Sequence, residues 1–313
     1  MNKNKKYKLL IEKADNMFLS GNYEEAEKLF LDAFQIKCEL KDRINYALAL
    51  IYREKYGLAE ENYKFLLENF PNIGGIYSGY ALLLMKLERY QEVIDMASKE
   101  LSIINEETDY GKKLKQLALS NIAESYYHLD DYENMALYAE KSLAYGFDSK
   151  TTALLYLKAS NDKNYEMELK YALDIYTMDP DYVGASYFLA MAYHDTGDKI
   201  RAEKYFLEEV SKPNFQVFSY FYLSLYCVER KEYDKALGYS LKCLEAYKDD
   251  DDVWYNLGCI YALTYDYSNA YNCFKASILI DNANIEIMKN DTELDNFRLS
   301  NEYLELLKLQ NWK

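Results

Sequence analysis

Proline and glycine are scarce in this sequence, three and eleven among 313 residues. A protein built on tight turns between strands needs more of both, so a turn-rich β fold is argued against. Histidine is scarcer still, with two residues, His128 and His194. Catalytic or metal sites that rely on clustered imidazoles therefore have little to draw on. No apolar stretch approaches the ~18 residues of a membrane span. In the opening MNKNKKYKLLIEKADNMF, the apolar run Leu9–Ile11 is broken by Glu12, Lys13 and Asp15, unlike the core of a secretion signal. Cysteines number five, an odd count without a C-x-x-C pair, which fits a reducing compartment. Basic charge is in deficit: the net charge of −15 repels nucleic acid and anionic membrane, and no basic run offsets it. No P-loop, G-x-S-x-G or H-E-x-x-H occurs. These absences imply a soluble cytoplasmic protein with no catalytic set, no metal and no cofactor.

What the chain does have is apolar residues at 50% and 35 tyrosines. A tyrosine can pack its ring while its hydroxyl stays wet, which suits a thin fold with much half-buried surface. The segment Trp254–Asn282 carries Trp254, Leu257, Gly258 and Tyr261, then Ala270 and Phe274. Phased on Trp254 as fourth position, repeats begin near residues 7, 40, 74, 116, 149, 183, 217 and 251, at intervals of 33, 34, 42, 33, 34, 34 and 34. The eighth position reads Ala14, Ala47, Ala81, Ala123, Tyr156, Ala190, Ser224 and Gly258. The twentieth reads Ala26, Ala59, Val93, Met135, Glu168, Ala202, Ala236 and Ala270. Small residues at two fixed phases predict two helices crossing closely in each unit. Pro71, Pro180 and Pro213 all fall where a second helix should stop.

The spacing W-x2-L-G-x2-Y…A-x3-F resembles the tetratricopeptide repeat (TPR). The resemblance runs over residues 7–284 and implies an all-α, right-handed solenoid of about eight helix-turn-helix repeats. Repeats one to three occupy 1–107, an insertion 108–115 (TDYGKKLK) follows, repeats four to eight occupy 116–284, and capping helices occupy 285–313. The insertion predicts a longer loop or extended helices at one joint. The closing DTELDNFRLSNEYLELL resembles the tail found after the last repeat in many TPR proteins, which covers an otherwise exposed apolar end. Repeat five departs from the pattern. Tyr156 and Glu168 stand where small residues are expected, so its helices should open to keep the carboxylate wet.

By resemblance, positions 2, 5, 9, 12 and 13 of each first helix face a binding groove. Chaperone-binding members hold a peptide carboxylate there with lysine, arginine and asparagine. The corresponding positions are Ile11, Asp15, Asn45, Gly75 and Gly79, and only Asn45 matches. Without cations a carboxylate has no charge-assisted partner, and that clamp is absent. Repeats six to eight offer instead Tyr187, Met191, His194, Phe221, Leu225 and Tyr255, an apolar ladder with one polar side chain. The function implied is a non-catalytic adaptor or scaffold that binds a protein, peptide or helix in the groove. A peptide-sensing regulator or a subunit of a larger assembly are the alternatives, and the six residues before repeat one leave little room for a DNA-binding effector segment. The identity of the partner and the oligomeric state are left open. Cys227, Cys243, Cys259 and Cys273 read as small core hydrophobes, and Asp249–Asp252 as a cap at a helix start.

Overall fold

A computed structural model describes residues 2–105 and 107–309. Among these the chain is helical, with no strand. The first repeats are the helix pairs α1 (Lys3–Leu19) and α2 (Tyr23–Phe34), α3 (Leu40–Tyr52) and α4 (Tyr56–Asn69), and α5 (Ile76–Lys86) and α6 (Tyr90–Ile103). Next come α7 (Asp109–His128) with α8 (Tyr132–Leu143), and α9 (Ser149–Asn161) followed by α10 (Tyr165–Met178). Then come α11 (Ala185–Asp195) with α12 (Lys199–Glu209), α13 (Ser219–Glu229) with α14 (Tyr233–Ala246), and α15 (Asp251–Leu263) with α16 (Tyr267–Ile280). The chain closes with α17 (Asn284–Asn290), two short 3-10 turns, and α18 (Asn301–Leu309).

One turn geometry recurs in all eight repeats. The fifteenth residue is left-handed each time: Gly21, Glu54, Glu88, Asp130, Lys163, Gly197, Lys231 and Tyr265, with φ between +54 and +81°. The next amide reaches back to a carbonyl five residues earlier, as Asn22 N to Met17 O (2.8 Å) and Asp266 N to Tyr261 O (2.9 Å). This reversal consumes carbonyls that the end of the first helix would otherwise leave bare. The same residue then starts the second helix. In five repeats its side chain, Asn22, Asp131, Asn164, Asp198 or Asp266, accepts from the amide three residues on. The turn is therefore set by backbone hydrogen bonding more than by glycine, which only two repeats use.

The two small-residue phases are the closest points of these hairpins. Ala14, Ala47, Ala81, Ala123, Ala190 and Ser224 are fully buried at position eight, and so is every residue at position twenty. The nearest side chain to Gly258 is the ring of Phe274. A methyl group added at Gly258 would lie 2.8 Å from two of its carbons. Glu168 contradicts the reading of repeat five: it is 0% exposed, so the carboxylate is enclosed and not kept wet by opened helices.

By packing, the chain divides into two compact units, Met1–Lys158 and Ala159–Lys313, and the division falls within α9. In the first unit each first helix packs on its own second helix and on the next first helix, so α1, α3, α5 and α7 form one layer. The 108–115 segment does not loop out. It lengthens α7 to 20 residues, with Thr108 accepting from Gly111 N at 2.9 Å as the cap. In the second unit the segment after α16 folds back. Ile285, Met288, Leu294, Phe297, Tyr303 and Leu306 form one buried cluster with Phe274 and Cys259. Residues 310–313 of the expected cap lie outside the described residues. Asp250 caps α15 by accepting from Val253 N at 3.0 Å. No helix among the described residues is long and apolar enough to cross a membrane.

Candidate functional site

The six residues expected to line the groove sit on three first helices of the second unit, and all are half-buried. They do not form one ladder. Tyr187 on α11 packs edge-on against Phe206 (5.9 Å between ring centres). Phe206 in turn stacks on Tyr222 (4.9 Å). Burial pushes the Tyr187 phenol far up from its ordinary value, with Tyr222 and Tyr247 adding to the shift. Phe221 turns toward Phe218 (4.9 Å) and Tyr222 (5.6 Å) in its own repeat. His194 Nδ1 lies 2.7 Å from the Tyr226 hydroxyl, so part of its polar capacity is already used. Tyr255 is drawn away altogether. Its hydroxyl donates to Asp291 (3.0 Å) in the closing segment, and its ring packs edge-on against Phe274 (5.3 Å). Met191 and Leu225 remain as half-buried side chains on α11 and α13. The structure thus joins Tyr187, Phe221 and His194 through Tyr222 and sets Tyr255 apart under the cap.

A cavity of about 390 Å³ opens elsewhere, in the first unit, between α3, α5 and α7. Helix α3 contributes Ile44, Asn45 and Leu48. Helix α5 contributes Ser78, Gly79 and Leu82, preceded by Gly74 and Gly75. Helix α7 contributes Tyr110, Leu114, Leu117 and Asn121, the first two from the turns added by residues 108–115. In the repeat phase, most of these are first-helix positions 2, 5, 6 and 9. The glycines are what let the added turns come so near. Gly75 holds φ +94° at the start of α5, and a side-chain carbon there would meet the Tyr110 hydroxyl at 2.9 Å. At Gly74 it would meet Leu114 at 3.0 Å.

Among the described residues, no charged side chain lines this cavity. The nearby carboxylate of Glu100 is fully buried, and both of its oxygens are hydrogen-bonded. It accepts from Gly75 N (2.5 Å), Ser78 N (2.5 Å) and Ser78 Oγ (2.8 Å), which caps α5 in place of an exposed N-terminal residue. Tyr110 and Leu117 keep 64% and 46% of their surface exposed, so the rim is apolar and open to solvent.

No protein-family model matches the sequence, and no curated protein does. Solved structures do match. A chain of the APC/C hetero-tetramer Cut9–Hcn1 superposes over 92% of this chain with a TM-score of 0.59 and 15% identity. This chain spans 54% of the length of that one. A tetratricopeptide repeat protein from Parabacteroides merdae superposes over 81% of this chain and 98% of its own, with a TM-score of 0.57 and 16% identity. The fold is that of tetratricopeptide repeat proteins.

Within that fold the positions of the chaperone-type clamp hold no cation, and Asn45 donates to Asp15 Oδ1 at 3.0 Å. A second open cavity of about 460 Å³ adjoins Asp15, between α1 and the start of α3. Among the described residues, no group of three or more His, Cys, Asp and Glu is arranged to hold a metal ion. Cys227, Cys243, Cys259 and Cys273 are buried, and burial pushes the Cys243 thiol up to about 11. His128 stacks flat on Tyr90, with ring centres 4.4 Å apart.

The α3–α5–α7 cavity was not among the expected site residues. A signal was present in the sequence. Three glycines, Gly74, Gly75 and Gly79, stand within one first helix and its approach; Gly75 holds groove position 2, and Gly79 holds position 6, where every other repeat carries a side chain. Missing side chains on one face leave a recess if a neighbour walls it. That wall is α7, whose extension a sequence alone leaves as loop or helix.

Proposed function

We propose that this chain is a non-catalytic adaptor or scaffold that binds a segment of another protein along its first-helix faces. The observation that carries the reading is the uncharged cavity between α3, α5 and α7, rimmed by exposed Tyr110 and Leu117. A recess of this size, mostly apolar with a few polar groups, has the character of a ligand site. Tyr187, Met191, His194, Phe221 and Leu225 belong to the reading as a second contact surface. Tyr187, His194 and Phe221 are held by the neighbouring rings of Phe206, Phe218, Tyr222 and Tyr226, and rigid aromatic area is what strong anchors are made of. Tyr255 contributes through the cap it holds. The working location is the cytoplasm, supported by five free cysteines.

The test is affinity capture of the partner from the native host, then calorimetry of the purified pair. Leu117→Lys should weaken binding about tenfold or more, since it places a charge on the apolar rim. Phe221→Ala reports on the second surface in the same experiment. If both variants fold and both bind the captured partner as tightly as the unaltered chain, the first-helix faces are not the binding surface.

A further inference from the structure

The first-helix face of the Met1–Lys158 unit changes character along its length. Among the described residues the lining of the α3–α5–α7 recess carries no charge, and both oxygens of the buried Glu100 behind it accept hydrogen bonds, three in all. The adjoining cavity of about 460 Å³ is lined by four carboxylates, Glu12, Asp15, Glu39 and Asp42, against two lysines, Lys8 and Lys41. Glu39 is paired with Lys37 at 2.5 Å, and Asp42 accepts from the Tyr7 hydroxyl. Asp15 has Asn45 on one oxygen, and Glu12 is exposed. Burial pushes the Asp42 carboxyl up against the lowering effect of Tyr7, and Glu39 and Asp15 push it further. Negative charge is therefore crowded at this end, and a cation would relieve it. One hydrogen bond links the two linings: Asn45 of the apolar cavity donates to Asp15 Oδ1 of the acidic one at 3.0 Å.

We infer that this face takes an extended peptide segment that seats bulky apolar side chains between α3, α5 and α7 and lays a lysine or arginine beside Asp15 and Glu12. The inference rests on the adaptor reading and gives its partner a chemistry. An acidic segment is disfavoured twice, by the carboxylates at one end and by the lack of any cation in the recess. The extended form follows from the polar groups that remain. Asn121 on α7 carries a carboxamide, and Asn45 on α3 keeps its carbonyl oxygen, at opposite walls of the recess. A helix satisfies its own backbone, whereas an extended chain needs such partners. At about 390 Å³ the recess lies within the roughly 300–1,000 Å³ typical of ligand sites.

The experiment is selection from a phage-displayed library of random dodecapeptides on the full chain, with counter-selection on Leu117→Lys and, separately, on Tyr110→Ala. Both positions are exposed, Tyr110 more than Leu117, so these variants should keep the fold, which circular dichroism checks. The enriched peptides should combine a large apolar residue with a nearby lysine or arginine. The synthetic consensus should bind about tenfold more weakly to Leu117→Lys, and its preference for the basic residue should disappear on Asp15→Asn. Enriched peptides that are acidic or lack a basic residue would overturn the inference, as would binding untouched by Leu117→Lys and Tyr110→Ala. If the enriched peptides are lost on Phe221→Ala instead, the adaptor reading stands and this inference falls. If selection enriches nothing while the host partner is captured, the inference falls again and the adaptor reading stands. If capture fails as well, both fall.

Discussion

The contact between Gly258 and Phe274 predicts opposite signs for one substitution at two places. Gly258→Ala adds a methyl group 2.8 Å from two ring carbons of Phe274 and 3.0 Å from a third. Phe274 is 1% exposed and is held between Tyr255 (5.3 Å) and Phe297 (5.2 Å), so the ring has no free space to retreat into. Overpacking of this kind costs about 1–3 kcal/mol. Alanine in place of a mid-helix glycine returns about 0.8–1.0 kcal/mol in helix propensity. With three contacts inside normal range the upper part of the cost applies, so the net loss should be about 1–2 kcal/mol. Gly238, inside α14, is the control, because a side-chain carbon there meets nothing within 4 Å. Gly238→Ala should stabilise by about 0.5–1 kcal/mol, since only the propensity remains. Urea unfolding followed by the fluorescence of Trp254, which lies on α15, reads the Gly258 repeat directly and the Gly238 repeat through the packing of α14 on α15, in a Trp312→Phe background. Local readout matters because stacked repeats need not unfold as one. If the two alanines raise the midpoint equally, close helix crossing is not the reason for glycine at position eight.

Three further perturbations follow from the same geometry. Tyr265→Gly should raise stability by about 1 kcal/mol, because a bulky residue at φ +64° carries left-handed strain that glycine does not; denaturant midpoints check it. Tyr255→Phe removes the 3.0 Å bond to Asp291, so amides of α17 and α18 should exchange faster by about 1 kcal/mol of protection while α1–α8 are unchanged. Glu60 is drawn down to about 2, first by Lys64, then by Arg89 and Tyr80 against the opposing effect of burial. Its folded value lies below the ordinary 4.5, so its contribution is present above that pH and is lost as pH falls from 4.5 toward 2. Glu60→Gln should therefore flatten the acid limb of a stability profile over that window and leave the shape of the profile at neutral pH unchanged.

The repeat phase could be read from the chain because its signals are local. Positions eight and twenty face one another inside a single hairpin, so the need for small side chains recurs wherever the hairpin recurs. Pro71, Pro180 and Pro213 mark ends of second helices for an equally local reason. Glu168 escaped this logic: a long side chain can be enclosed at a position where the pattern calls for a short one.

The residues available to a partner were decided at longer range. Tyr255 looked like the end of a groove ladder, yet its hydroxyl is taken by a residue 36 positions later. Tyr187 meets Phe206 of its own hairpin, which Tyr222 of the next repeat covers, and His194 is held by Tyr226, 32 positions on. The open recess arose where Gly74 and Gly75 allow two added turns of α7 to stand beside α5. Composition and periodicity determine that each unit must bury one face of each helix, because apolar residues at fixed phase leave no other arrangement. Which of the remaining faces stays open depends on side chains a full repeat away, whose meeting requires the hairpins to be stacked, and only the tertiary structure supplies that.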